Sequence, residues 1–243
     1  MRILLTRPSF DAARTAEKLS ALGYEAVIDS VIEIEPQDFA LPGGAFSAIA
    51  FTSANALRAL SGKRLPALPC FAVGGRTAEV AREYGFADVR AAGGDVESLA
   101  ALIAKEMRAG DRILHLAGED RAGDLRALLS KDGILVETVV VYRAKASSSL
   151  GSPAIVLLRD GLIGAVLHYS ERSASIFAQL AEAAHLRDKI RSLRHLCLSS
   201  AVARPLKSFG ITPEIAARPD EDALLALLGA KLDKPPSAKE TGS

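Results

Sequence analysis

Six short segments of the 243-residue chain combine small, hydroxylated and basic residues directly after an apolar run. The segments are Thr6-Arg7-Pro8, Thr52-Ser53-Ala54-Asn55, Gly74-Gly75-Arg76-Thr77, Ala117-Gly118-Glu119-Asp120-Arg121, Tyr169-Ser170-Glu171-Arg172 and Ser199-Ser200. Each precedes a stretch with helical spacing, so each predicts a turn between a strand and a helix. The first turn of a helix has free backbone N–H groups and the positive end of the helix dipole, which attract anions. The segments therefore predict binding of an anionic ligand.

Side chains in these turns allow a simple role and a functional one. Ser53 and Ser170 hold equivalent places, and serine is a preferred N-cap residue, so both are predicted to cap helices. A capping serine can also present its hydroxyl group to an anion. Arg7, Arg76, Arg121 and Arg172 either extend into solvent or bind carboxylates. Neither serine lies in a G-x-S-x-G elbow, which argues against a serine hydrolase.

Motifs for nucleotides and metals are weak. The segment from Gly74 to Thr77 lacks both the G-x-x-x-x-G-K-[ST] spacing and the G-x-G-x-x-G spacing, so a Rossmann-type nucleotide enzyme is only weakly supported. The four histidines lack the short spacing of metal ligands, and no metal site is predicted. His115 and His168 fall in strand-like runs, where they are predicted to be core or lining residues.

The elements that must position these turns form a permuted repeat. Residues 1–35 align with residues 111–145, and residues 46–104 align with the chain beyond residue 162 after a slip in one loop. If the two blocks are called X and Y, their order is X, Y, X, Y. The middle Y and X are contiguous and can form one domain, whereas the outer two must meet across it. The repeat predicts two similar domains, one of them discontinuous, with two chain crossings.

The fold class is therefore α/β, with two similar doubly wound parallel-sheet domains. Residues 1–31 plus 146–230 are assigned to the discontinuous domain, and residues 37–138 to the inserted domain. The crossings are residues 31–36 and 139–145, and residues 231–243 form a polar tail predicted to be disordered. Among individual elements, residues 154–158 are predicted as a strand, 120–129 as a helix and 144–152 as a linker.

Composition limits the classes of function. Hydrophobic residues make up 49% of the chain and aromatic residues only 5%, which predicts aliphatic cores. A net charge of +1 gives no indication of nucleic-acid binding. Cys70 and Cys197 are too few for a disulfide framework, so a reduced cytosolic protein is expected. The opening MRILLTRP is not typical of a signal peptide, and no apolar run approaches the roughly 20 residues that span a bilayer.

Five segments resemble the uroporphyrinogen-III synthase family. They are LLTRP (Leu4–Pro8), FTSANAL (Phe51–Leu57), AVGGRTAEVAREYGF (Ala72–Phe86), the Gly118–Arg121 turn and VVVYRA (Val139–Ala144). The resemblance extends over residues 1 to about 229. It implies a two-domain α/β monomer with a two-stranded connector. It also implies closure of linear hydroxymethylbilane with inversion of ring D and loss of water, without metal or organic cofactor.

The resemblance also implies site residues at matched positions. Substrate-binding positions are Thr52, Ser53, Gly74, Thr77, Gly118 and Arg121 in one domain, and Thr6, Arg7, Ser170, Ser199 and Ser200 in the other. Tyr142 matches a tyrosine that assists loss of the hydroxyl group, although from its place it can also simply pack the linker. The chain departs from the family at Ser199–Val202, where a Gly-Pro-Thr-Thr type of turn is common.

A second class of function uses the same residues. A non-catalytic two-domain module that binds a polyanionic small molecule, such as a tetrapyrrole, would need the same turns. Both hypotheses predict a small-molecule partner, no nucleic acid and no membrane. Incubation with hydroxymethylbilane, followed by analysis of the product isomer, distinguishes them.

Overall fold

The computed structural model describes residues 1–60, 62–121 and 123–229 and divides the chain into two compact units. The first unit comprises residues 1–33 and the described chain from residue 146, and the second comprises Ile34–Lys145. The predicted tail, residues 231–243, lies outside the described residues, as does residue 230.

Strands and helices alternate along most of the described chain. The strands are β1 (Arg2–Leu5), β2 (Glu25–Ile28), β3 (Ile32–Pro36), β4 (Ala48–Phe51), β5 (Cys70–Ala72), β6 (Val89–Ala91), β7 (Arg112–Gly118), β8 (Leu135–Ala146), β9 (Ile163–His168), β10 (Arg194–Cys197) and β11 (Glu214–Ile215). The helices are α1 (Ser9–Ala21), α2 (Ala54–Ala59), α3 (Gly75–Tyr84), α4 (Val96–Glu106), α5 (Leu125–Ser130), α6 (Ser152–Arg159), α7 (Glu171–Ala183), α8 (Arg187–Arg191), α9 (Ser200–Lys207) and α10 (Glu221–Gly229).

The first unit is built on a sheet with the strand order β11-β10-β9-β1-β2. Neighbouring strands in this sheet are parallel. Strand β1 lies between β9 and β2, and its residues Ile3, Leu4 and Leu5 are fully buried. An apolar run buried on both faces is the pattern of a central strand in a parallel sheet. Because β1 comes from the start of the chain, the core of this unit joins two distant segments.

The second unit has a sheet with the order β3-β8-β7-β4-β5-β6. Strands β8, β7, β4, β5 and β6 pair in parallel. One face carries a cluster that includes Phe51, Leu57 and Leu116, and the other carries a cluster that includes Phe71 and Leu99. Strand β4 is buried along its whole length, because its residues alternate between the two apolar clusters.

Strand order confirms the permuted repeat and the parallel α/β fold class. The order β2-β1-β9-β10-β11 of the first sheet corresponds strand for strand to β8-β7-β4-β5-β6 of the second. Of the segments predicted as crossings, residues 32–36 form β3 and residues 139–145 lie within β8, and these two strands are neighbours in the second sheet.

Three element predictions are wrong in type or extent. Residues 154–158 form part of helix α6, where a proline in the first turn fixes a helical backbone angle and Ala154 and Leu158 are buried four residues apart. The helix predicted from residue 120 begins only at Leu125, because Asp124 caps it there. The linker predicted over residues 144–152 is shorter, since β8 continues to Ala146 and α6 begins at Ser152. Strands β6 and β11 and helix α8 were not predicted.

Candidate functional site

Seven of the predicted site residues lie at one edge of the second unit's sheet. Strands β8, β7, β4 and β5 are neighbours and parallel, so the turns after their carboxyl ends share that edge. This edge is the usual place for ligands in parallel α/β sheets. The residues there are Thr52, Ser53, Gly74, Thr77, Gly118, Arg121 and Tyr142.

The turn after β4 presents two hydroxyl groups with different partners. Ser53 is the N-cap of α2, and the backbone N–H of Asn55 donates to its Oγ at 3.2 Å. Its predicted capping role is thus confirmed. Thr52 is half-buried, and its Oγ1 lies 3.1 Å from Nε2 of His115.

The turn after β5 leads into a helix whose first turn lacks a side-chain cap. Gly74 is the N-cap of α3, and no side chain accepts from the first N–H groups of this helix. A Cβ atom at Gly74 would come within 3.3 Å of the Gly94 Cα, so the close backbone approach favours glycine. Thr77 is buried in the first turn of the same helix. These N–H groups can donate hydrogen bonds to an anion that binds at the edge.

The turn after β7 is joined to Tyr142 by direct packing. A Cβ atom at Gly118 would lie 2.6 Å from Cζ of Tyr142, so the phenol ring occupies the space above the glycine. Tyr142 is 8% exposed and belongs to the apolar cluster around Phe51. Arg121 is exposed and donates from Nη1 to the carbonyl oxygen of Gly118 at 3.3 Å.

His115, predicted only as a core or lining residue, lies directly behind this edge. It is 2% exposed, and its Nδ1 lies 3.2 Å from Oγ1 of Thr138 on β8. Burial and then the charge of Arg121 lower its pKa to about 4, so the ring is neutral. It also lines a polar cavity of about 690 Å³ together with Arg121, Arg126 and Thr138.

The other five predicted residues lie at the corresponding edge of the first unit, after β1, β9 and β10. Thr6 is buried, and its hydroxyl group donates to the carbonyl oxygen of Leu167 at 3.5 Å. Ser170 and Ser199 are N-caps that accept from the backbone N–H groups of Ser173 and Val202. The capping prediction for Ser170 is confirmed. Ser200 is exposed in the first turn of α9.

Arg7 is part of an ion-pair network that the sequence did not reveal. Its Nη1 lies 3.1 Å from Oε1 of Glu221, and its guanidinium group stacks 3.9 Å from the ring centroid of Tyr169. Thr15 and Tyr169 donate hydroxyl groups to the same carboxylate at 2.7 and 3.1 Å, and Lys18 pairs with its other oxygen at 2.8 Å.

The ionised form of Glu221 is strongly favoured in this network. Burial opposes ionisation, but hydrogen bonds from Lys18 and Thr15, with the charges of Lys18 and Arg7, outweigh it and lower the pKa to about 2. The sequence contained one indication of this network: Glu221 begins a helix, where a carboxylate is favoured. The residues that pair with it are more than 200 positions away, and no local pattern identifies them.

A pair of histidines is enclosed beneath the first unit's edge. His168 and His195 are fully buried, with Nε2 of His168 2.9 Å from Nδ1 of His195. Nε2 of His195 donates to the carbonyl oxygen of Ile190 at 2.8 Å, so its Nδ1 must accept from His168. Burial lowers the pKa of His195 to about 4, and burial and the neighbouring ring lower that of His168 well below its usual value.

Metal clusters and membrane-spanning helices are both lacking within the described residues. Over residues 1–60, 62–121 and 123–229, no three His, Cys, Asp or Glu side chains are grouped so that they could hold a metal ion. In the same part of the chain, no helix is both long and apolar enough to cross a membrane.

These features define a class: an α/β protein of two topologically matched units, each presenting hydroxyl groups, cations and helix N-termini at the carboxyl edge of a parallel sheet. Solved structures with a similar fold match the chain. The structure of uroporphyrinogen-III synthetase from Helicobacter pylori aligns with a TM-score of 0.63 and 21% identity, covering 94% of this chain and 98% of that one. A mutant uroporphyrinogen III synthase from Thermus thermophilus aligns with a TM-score of 0.51 and 16% identity, covering 94% and 96%. Both likenesses concern the fold.

The sequence itself matches a family model. Residues 13–226 match the model described as uroporphyrinogen-III synthase HemD. A search of curated proteins found no match. The chain therefore belongs to the uroporphyrinogen-III synthase family, and with it to the cyclising lyases of tetrapyrrole biosynthesis.

Proposed function

We propose that this chain closes linear hydroxymethylbilane into uroporphyrinogen III, with inversion of ring D and loss of water. The observation that carries the proposal is the family match over residues 13–226, which includes the turns of both sheet edges except Thr6 and Arg7. The binding-module alternative needs the same turns but gives no reason for membership in a family of lyases.

The substrate has eight carboxylates, and the second unit's edge offers donors for them. The donors that we assign to carboxylates are the N–H groups at the start of α3, which no side chain caps, the hydroxyl group of Thr52 and the exposed guanidinium group of Arg121. Hydrogen bonds to an ionised group are about twice as strong as neutral ones. We assign Gly74 and Gly118 to close backbone approach, Ser53 to capping with its hydroxyl group at the edge, and Thr77 to the first turn of α3.

The first unit's edge offers fewer free groups. Ser200 is exposed and is the hydroxyl group that we assign to a carboxylate, with Ser199 and Ser170 holding the helix starts beside it. Arg7 keeps part of its guanidinium group accessible while Glu221 fixes its position, so we assign it to a carboxylate as well. The hydroxyl group of Thr6 already donates into the sheet, and its proposed role is to shape the turn.

Tyr142 is the side chain to which we assign direct help in the reaction. Its ring is fixed against Gly118, and its hydroxyl group has no hydrogen-bond partner among the described residues. A phenol can donate a proton or a hydrogen bond to a departing hydroxyl group at neutral pH. The remaining task is to hold a flexible chain in a reactive conformation, which is catalysis by positioning.

Two finer features belong to the same proposal: the protein acts as a monomer in the cytoplasm. Cys70 and Cys197 are free and buried, which suits a reducing compartment. Sedimentation equilibrium at assay concentrations checks the monomer, and fractionation of the source cells checks the compartment.

Conversion of hydroxymethylbilane is the experiment that tests the function. The wild-type protein should give the isomer with ring D inverted, and a product without inversion at the spontaneous rate would contradict the proposal. Tyr142→Phe should slow turnover by roughly 10²–10⁴-fold without changing the isomer, as expected for loss of a general acid. Tyr84→Phe removes a phenol from the same unit at a site away from this edge and is the matched control. Equal rates for Tyr142→Phe and wild type would leave Tyr142 with a packing role only.

A further inference from the structure

The polar side chains of Thr52, His115 and Thr138 form a row across neighbouring strands of the second unit. Ala50, His115 and Thr138 are direct partners in the register of β4, β7 and β8. Thr52 is two residues beyond Ala50, so it shares the face on which His115 lies. The distances are 3.1 Å from Thr52 Oγ1 to Nε2 of His115 and 3.2 Å from Nδ1 to Thr138 Oγ1.

A neutral imidazole has one N–H donor and one acceptor nitrogen, so this row can be arranged in only two ways. In one arrangement, Thr52 donates its only proton inward to Nε2, and Nδ1–H donates to Thr138. In the other, Thr138 donates to Nδ1, and Nε2–H donates to Oγ1 of Thr52. The second arrangement leaves the hydroxyl proton of Thr52 free. His115 is buried and neutral, so its ring acts through hydrogen bonds and not through a charge, and it fixes one of the two arrangements.

We propose that His115 is a positioning residue that holds the second arrangement and so directs the hydroxyl proton of Thr52 toward a carboxylate of the substrate. This inference rests on the proposed function, because an ionised carboxylate can only accept hydrogen bonds. In the first arrangement, Thr52 would present only the lone pairs of its oxygen to that carboxylate, and the two would repel each other. Thr52 is half-buried, so its hydroxyl group reaches the edge while its oxygen contacts the histidine.

The tautomer of His115 is a direct test that does not depend on activity. Long-range ¹H–¹⁵N correlation spectra of the full chain, labelled with ¹⁵N-histidine, report which ring nitrogen carries the proton. His115→Gln assigns the signal by its disappearance, and His185→Gln, at an exposed histidine, is the matched control. We expect the Nε2–H form at neutral pH. The Nδ1–H form would overturn the proposal, whatever the protein's activity.

A double-mutant cycle tests the consequence for the substrate. Thr52→Val should raise KM for hydroxymethylbilane roughly tenfold to a hundredfold with kcat nearly unchanged, because a bond to a carboxylate is made equally before and during the reaction. His115→Leu should raise KM similarly in the wild type and have no further effect in the Thr52→Val background. Additive effects, or an unchanged KM for Thr52→Val, would overturn the proposal.

Separate control variants distinguish a folding defect from a loss of function. His115→Gln retains an amide donor near the position of Nε2 and should recover most of the loss seen in His115→Leu. If His115→Leu does not fold, His115→Gln and the tautomer spectrum still decide. If the wild type forms no inverted isomer, the proposed function fails, whereas an active wild type with the Nδ1–H tautomer refutes only the role of His115.

Discussion

Equivalent positions of the two units are filled with opposite chemistry. In the first unit, Arg7, Thr15 and Tyr169 converge on the carboxylate of Glu221. The permuted repeat places Ala117, Leu125, Thr52 and Val96 at the corresponding positions of the second unit. Leu125 belongs to an apolar cluster there, and Val96 packs against it. The start of α10 in the first unit is thus held by charges, whereas the equivalent start of α4 in the second unit is held by aliphatic contacts.

Buried histidines show a second contrast. His168 and His195 of the first unit correspond to Phe51 and Cys70 of the second, both fully buried. The second unit instead has His115 where the first has Leu5. One unit therefore encloses an imidazole pair in its interior, and the other uses an imidazole to support a hydroxyl group at the edge. The shared strand order thus tolerates exchange of its interior groups, and the edge of each unit is specialised separately.

Fragments provide the largest expected difference between the units. Residues 34–145 form a continuous unit and should unfold cooperatively when expressed alone. Residues 146–243 lack β1, whose Ile3, Leu4 and Leu5 are fully buried between β9 and β2, and should show no cooperative transition. Urea denaturation followed by circular dichroism measures both. A cooperative transition of the fragment 146–243 would show that the first segment is dispensable.

Acid should destabilise the first unit through its histidine pair. The folded pKa of His195, about 4, is below the ordinary 6.5, so the unfolded chain binds more protons as the pH falls between these values. Stability from the neutral ring is complete above about pH 6.5 and is lost toward pH 4, where the loss is about 3 kcal/mol for His195 alone.

A double variant, His168→Phe with His195→Cys, replaces the histidine pair by the residue types found at the equivalent positions of the second unit. Its unfolding free energy should decline less than that of the wild type between pH 7 and pH 4. Urea denaturation at several pH values gives both curves, and parallel curves would contradict the assignment of the acid sensitivity to this pair.

Loss of the Glu221 carboxylate should have a smaller effect. Glu221→Gln should cost about 2 kcal/mol of unfolding free energy at pH 7, because it removes the charge that Arg7, Arg14 and Lys18 share. The folded pKa of Glu221, about 2, is below the ordinary 4.5, so this stability is present above pH 4.5 and lost as the pH falls toward 2. The wild type and the variant should converge in acid.

Glu25→Gln is the matched control for the Glu221 variant. It breaks the exposed pair between Arg2 and Glu25 in the same unit, which should change stability by less than about 1 kcal/mol. Equal losses for the two variants would mean that the ion-pair network around Glu221 contributes no more to stability than a surface ion pair.

Local patterns in the sequence predicted the features that depend on local chemistry. The buried run of β4 followed by a capping serine identified the turn at Thr52 and Ser53. The Ala154–Leu158 run suggested a strand, because five apolar residues in succession carry no helical period. The proline before that run was the better signal.

Long-range chemistry was not predictable in the same way. Glu221 and Arg7 are separated by 214 positions, and their ion pair follows only from the strand order of the first sheet. The contact of His115 with Thr52 depends on the register between β4 and β7, which a single sequence does not state. The sequence indicated which residues share one face of a strand, but not which residues they contact on the neighbouring strand.

The discontinuous first unit also sets an order of events during synthesis. The ribosome delivers β1 first, yet its partner β9 ends at His168, and translation from residue 33 to that point takes roughly 7 to 27 s at about 5–20 residues per second. The second unit is fully synthesised by residue 145, well before β9 has left the ribosome. The first 33 residues, with their apolar Ile3-Leu4-Leu5 strand, therefore wait as a nascent segment until the last third of the chain arrives. During this interval β1 can pair only with β2, its other neighbour in the sheet.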